Sequence, residues 1–296
     1  MKYYSLLLAS FLLIFCSDNK SSKENKKVAK EIFKTSKEFN DYWYDGTAEI
    51  TSYKLTQARY GELHEGTAVT IFVTEDFLPE KQVKADYKNE KNIPILKLNK
   101  TKKFFTGIYP YSIMTSTFSP INIDKKSLKI SFSSQEWCGN TFVQLNNKEK
   151  FEVDFHSYFE NNSDEKISLE KDYLEDELWN IIRISQEKLP VGEFMIIPSF
   201  EYLSLNHQTM KSYKAITSFT ENGNFVIYNI DYPSLRRTLN IVISKNFPHN
   251  IESWEETINS RGKKLSTKAE KMKTLKLKYW NKNSPEDKKL REFLNI

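Results

Sequence analysis

Cysteine and glycine are scarce in this chain of 296 residues, with 2 and 8 copies respectively. Few glycines leave little material for the tight phosphate-binding turns of nucleotide folds. There is no Gly-rich phosphate loop, no His-Glu-x-x-His, no paired Cys spacing and no Gly-x-Ser-x-Gly elbow. No cofactor is expected from these absences. The four histidines, His64, His156, His207 and His249, are scattered, so no metal site is expected either. No apolar run approaches the roughly 20 residues of a membrane-spanning helix, and the longest, Leu6 to Phe15, is about half of that. A net charge of +5 is mild and does not call for a nucleic-acid partner.

Aromatic residues, in contrast, make up 14% of the chain, which suits extended strands with large cross-strand pairs. Thr47 to Arg59 and Thr67 to Phe77 read as antiparallel neighbours, and Gly107 to Phe118 as a third strand. The lysine-rich segment from Lys81 to Lys103 reads as a long connection. "SLKISFSS", "GNTFVQLN" and "KFEVDFHSYF" form a meander whose last hairpin turns at Asn146, Asn147 and Lys148. Asp176 to Lys188 is the clearest helix: its apolar residues recur at three and four, acids open it, and Pro190 and Gly192 close it. "EFMIIPSFEYLSLN" reads as strand, and "SYKAITSFT" and "NFVIYNIDY" flank Asn222-Gly223 as a hairpin. "TLNIVISK" and "TLKLKYW" add strands, Ile251 to Ile258 a short helical patch, and Ser284-Pro285-Glu286 the start of a terminal helix. The expected fold is α+β and mostly β: a large curved antiparallel sheet or open half-barrel with a mid-chain helix and a short C-terminal helix.

The apolar run with its single preceding Lys2 has the length of a signal peptide, residues 1–15. It resembles the lipobox of bacterial lipoproteins, which ends in a cysteine that receives a diacylglyceryl thioether. Leu13 and Cys16 match that pattern, while Phe15 stands where a small residue is usual. The resemblance implies lipidation of Cys16, with unlipidated secretion as the alternative. Residues 16–40 then form a solvated tether, and 41–296 a single large β-rich domain. Ser17-Asp18 is similar to the acidic flag of some outer-leaflet lipoproteins, diluted by the lysines from Lys20 on, so the leaflet stays open. With Cys16 acylated, Cys138 has no disulfide partner and stability must come from packing.

Two stretches suggest chemistry. Alternation in "KFEVDFHSYF" puts Glu152, Asp154, His156 and Tyr158 on one face, and pairing apolar with apolar sets odd residues opposite odd ones. Cys138 then falls opposite His156, or opposite Tyr158 with His156 on the diagonal. A Cys138/His156 acyl-transfer or hydrolytic site follows as an alternative, with Glu136, Glu152 or Asp154 to orient the imidazole. The same face, with Trp137 and Tyr158, lines a binding groove if it is concave. Between Arg261 and Lys282, nine Lys or Arg residues face one acid, Glu270. There Lys276 and Lys278 alternate with Leu277 and Tyr279 up to Trp280, a stripe suited to anionic headgroups or acidic polysaccharide, or to plain solvation.

"FNDYWYDGTAEITSYKLTQARYGE", "IFVTEDFLPEKQVKAD" and "IPSFEYLSLNH" resemble a family of uncharacterised bacterial envelope lipoproteins often labelled "septum formation inhibitor Maf". True Maf nucleotide pyrophosphatases open with a Ser-x-Ser-Pro-Arg-Arg-like loop, which this chain lacks, so the resemblance implies compartment and fold but no activity. The leading expectation is a lipid-anchored envelope protein, placed at the outer membrane, whose curved sheet binds an apolar or amphipathic ligand or an envelope partner. A purely structural interaction module is the further alternative.

Overall fold

The computed structural model describes residues 35–160, 162–260 and 262–296. The expected signal peptide, Cys16 and most of the expected tether lie outside the described residues. The folded part begins earlier than residue 41, because α1 (Lys37–Trp43) is capped by the Ser36 hydroxyl, which accepts from the Phe39 N–H at 3.0 Å. Phe39 and Trp43 are buried, and that apolar pair is what ties the segment down.

Strands β1 (Ala48–Arg59), β2 (Glu62–Leu78), β3 (Val83–Lys84), β4 (Ile93–Thr106), β5 (Tyr109–Pro120), β6 (Lys129–Glu136), β7 (Gly139–Asn147), β8 (Phe151–Ser157) and β9 (Glu165–Leu169) follow. Next come β10 (Tyr173–Leu174), α2 (Glu175–Ser185), β11 (Gly192–Ile197) and α3 (Phe200–Leu205). The last group is β12 (Tyr213–Asn222), β13 (Phe225–Tyr232), β14 (Arg237–Ser244), β15 (Ile251–Ser260), β16 (Lys263–Leu277) and α4 (Lys288–Leu294). They form one open curved sheet of 16 strands in which β16 joins β1, so the two chain halves meet edge to edge. Pairing is antiparallel except between β10 and β11. The α+β, mostly β expectation is met, including the mid-chain and C-terminal helices.

Four local expectations are corrected. The segment read as a connection up to Lys103 contains most of β4. Its Leu96, Leu98, Lys100, Lys102 and Phe104 alternate inward, and the two buried lysines disguised the pattern. Ile251 to Ile258 is strand, not helix. A bulge there sets Ile251 opposite Ile243 but Ser253 opposite Val242, so Ile251 and Trp254 both face inward three residues apart, a spacing that imitates a helix. "SFEYLSLN" is α3, because Ser199 caps it by accepting from the Tyr202 N–H at 3.2 Å. The β12–β13 turn is Gly223-Asn224, one residue later than read, with Gly223 at φ +58°.

The sheet curves around α2. All eleven residues of that helix are buried. It touches a broad arc of strands: Trp179 meets Trp254 of β15 edge-on at 5.3 Å, and Asn180 Nδ2 donates to the Leu96 carbonyl of β4 at 2.6 Å. Arg183 stacks over Phe72 of β2 at 4.8 Å. A helix buried all round belongs inside a core, not on a surface. The concave face is therefore occupied by the protein's own helix.

Candidate functional site

The meander order sets one row of hairpin tips on a single rim: Tyr60-Gly61 after β1, Gly107-Ile108 after β4, Trp137-Cys138 after β6 and the segment after β8. Large side chains stand out there. Ile108 is 81% exposed, Trp137 68% and Tyr158 80%. The Tyr109 ring braces Trp137 at 6.1 Å and 25°. Behind them, Phe104 and Tyr111 stack at 4.8 Å, the Tyr60 and Tyr111 hydroxyls meet at 2.7 Å, and Arg59 lies 4.5 Å over the Tyr60 ring. Arg59 Nη1 also donates to the Leu205 carbonyl at 2.6 Å, tying the rim to the end of α3.

The expected Cys138/His156 pair is not assembled. Odd residues do face odd ones, as in Val143 with Phe155 and Leu145 with Val153, but Phe142 rather than Cys138 stands opposite His156. The turn is the reason. Lys148 N–H donates to the Lys150 carbonyl at 2.9 Å, so the loop centres on Glu149, and Asn147 stays in the strand, donating through Nδ2 to the Ser127 carbonyl at 2.9 Å. Moving the turn two residues along leaves Cys138 beyond both His156 and Tyr158. His156 stacks on Phe142 at 6.3 Å and finds Asp164 at 3.3 Å instead, while Asp154 pairs with Lys166 at 3.2 Å.

Cys138 itself is exposed. Its backbone N–H donates to Glu136 Oε2 at 2.7 Å, which swings that carboxylate beside the thiol. Hydrogen bonding to Glu136, and then its charge, raise the thiol pKa above the usual value. A nucleophilic cysteine requires the opposite shift.

Next to Trp137 a cleft of about 420 Å³ opens on the outer face, lined by Pro110, Ser112, Gln135, Glu136, Trp137, Gly139 and Asn140. Ser112 pairs with Gln135, and Gln135 with Asn140, so three polar side chains cross three strands in one row. Sequence reasoning found Trp137 and Tyr158 but not this row, because only the register of β5, β6 and β7 brings it together.

The basic stripe divides. Lys276 Nζ lies 2.9 Å from Asp45 and 3.7 Å over the Tyr42 ring, and it donates to the Tyr42 carbonyl, so it holds α1 in place. Lys278 and Trp280 are exposed. A register jump between Ser52 and Tyr53 at Met272 breaks the alternation, and Lys268 and Lys271 pair with Glu255 at 3.4 Å and Glu252 at 2.6 Å.

The charges on α2 were not foreseen as interior. Arg183 donates to Glu49 through two nitrogens at 2.6 and 2.7 Å, and Arg237 donates likewise to Glu175 at 2.5 and 2.7 Å. Burial pushes both carboxyls upward, but the guanidiniums outweigh it and hold them below the usual range. Lys102 meets Glu201 at 2.5 Å, and Lys100 lies 4.4 Å over the Trp179 ring. Asp176 accepts from the Phe200 N–H at 3.1 Å, and burial raises its pKa to about 6 against the pull of Lys100. Among the described residues no cluster of His, Cys, Asp or Glu is arranged to hold a metal ion. Most of these buried charges are paired with one another, and together they brace the helix inside the sheet.

Comparison with protein-family models, with curated proteins and with solved structures finds no match for this chain.

Proposed function

We propose that this chain is a lipid-anchored protein of the bacterial envelope that acts by binding, and that it meets its ligand or partner with the outer face and the rim of hairpin tips. The anchoring rests on the lipobox-like run ending at Cys16 and on the resemblance to an envelope lipoprotein family. The surface rests on one observation: α2 fills the concave face, while Ile108, Trp137 and Tyr158 stand exposed on the rim and a cleft opens beside Trp137 on the outer face. An apolar ligand lodged between sheet and helix would have to displace paired buried charges. On the opposite rim, Lys278 and Trp280 suit contact with anionic headgroups near the start of the folded part.

Intact mass of the full chain, extracted in detergent from a Gram-negative host, tests the anchoring. An acylated chain starting at Cys16, lost in Cys16→Ala, is the expected result. An unlipidated mass in both removes the anchor from the reading and leaves the binding surface to be tested separately.

A further inference from the structure

We propose that the cleft beside Trp137 binds an uncharged oligosaccharide chain; this deepens the reading of the chain as a binding protein and rests on it. Its floor is the lateral row Ser112, Gln135 and Asn140, whose side chains make no hydrogen bond within the protein among the described residues. Each amide presents an acceptor and two donors in one plane, and each sugar hydroxyl is both donor and acceptor, so adjacent hydroxyls match adjacent amides. Trp137 supplies the other half of sugar chemistry. The C–H face of a pyranose is apolar and packs flat on an aromatic ring, and Trp137 offers such a ring, 68% exposed yet held by the Tyr109 stack.

A second exposed ring, Tyr158, stands on the same rim outside the lining of the cleft. A Cβ on Gly139 would lie 3.4 Å from the Tyr158 Cβ, so the glycine lets Tyr158 settle close against β7. Two exposed aromatics on one rim, Trp137 in the cleft and Tyr158 beside Gly139, suit a chain of sugar units better than a single one. The volume, about 420 Å³, falls in the range of ligand sites.

Charge selects the class. Glu136 is the lone charged residue of the lining, which holds no cation to receive phosphate, sulfate or an anionic headgroup. A single carboxylate also lacks the partner that glycosidic hydrolysis needs, so the site binds the chain without cutting it.

Native gels cast with glucomannan, dextran or mixed-linkage β-glucan test this, using the full chain in neutral detergent and alginate as the charged control. At least one neutral polymer should retard the protein, and Trp137→Ala and the double variant Gln135→Ala/Asn140→Ala should each weaken that binding tenfold or more. Lys88→Glu, at an exposed position in the connection between β3 and β4, should leave it unchanged. Urea midpoints matching the unsubstituted protein establish that the variants are folded, as the exposure of these residues leads one to expect. Lack of retardation by any neutral polymer, unchanged binding by Trp137→Ala, or retardation by alginate alone overturns the proposal. Trp137-dependent binding to phosphatidylglycerol vesicles without polysaccharide binding also overturns it while leaving the tip as a binding surface, so the two readings fail separately.

Discussion

Lysines on β4 meet opposite fates on the two faces of one sheet. Lys100 and Lys102 point inward and are buried, with Lys102 2.5 Å from Glu201 and Lys100 over Trp179, whereas Lys103 points out and is exposed. The same contrast runs through the molecule. Against α2, nearly every charge is matched, because an unpaired ion in that medium costs several kcal/mol or more. On the outer face, Ser112, Gln135 and Asn140 need no protein partner because water serves them. Polar groups inside report how the fold is held; polar groups left open outside, beside exposed aromatics, report what the fold offers to other molecules.

The largest break in that contrast comes from Arg183→Met. It leaves Glu49 buried without its guanidinium, and urea denaturation at neutral pH should show a loss of about 3–5 kcal/mol. Adding Glu49→Gln should recover part of it, since the stranded charge is then gone. An equal loss in single and double variants would mean that packing, not the ion pair, carries the effect.

Asp176 sharpens the comparison through pH. Its folded pKa, about 6, lies above the ordinary 3.8, so the folded state holds this proton more tightly than the unfolded chain. Stability from this group is present below about pH 4 and is lost as pH rises through 6, by an amount on the order of 3 kcal/mol. Lys100, Glu175 and Glu201 face it and set that balance. Glu49, Glu175 and Glu201 are shifted down and act in the opposite sense, losing their contribution as pH falls below the ordinary carboxylate range. Urea midpoints measured from pH 4 to 7 should therefore lose a falling component in Asp176→Asn. An unchanged profile would remove Asp176 as its source.

The smallest effect lies on the outer face. Glu136→Gln removes the carboxylate that raises the Cys138 thiol, so alkylation by iodoacetamide near pH 8 should quicken with no change in stability. A slower reaction would show that Glu136 acts on the thiol in some other way.

Much of this was legible beforehand. The alternation of apolar residues gave β1, β2, β5 and β14 to within a few residues, and the three-and-four spacing gave α2, because those periods follow from backbone geometry alone. Where local pattern failed, a tertiary term had overridden it. Buried lysines hid β4, a bulge made β15 look helical, and Ser199 capped α3 out of a stretch that read as strand. The candidate site was half legible: Trp137 and Tyr158 could be named, but the cleft beside Trp137 could not. Parity of the β7–β8 pairing followed from burial, yet the choice among registers of equal parity rested on a three-residue loop.

By itself, then, the amino-acid order determined a β-rich chain with one strong helix and no familiar catalytic or nucleotide-binding signature. Only the tertiary structure decided that the helix lies inside the sheet, that Cys138 and His156 stay apart, and that Ser112, Gln135 and Asn140 share a row beside Trp137. The reason is physical: periodicity is a property of neighbours along the chain, whereas register, bulges and the pairing of buried charges depend on groups far apart in sequence that meet only once the chain has folded.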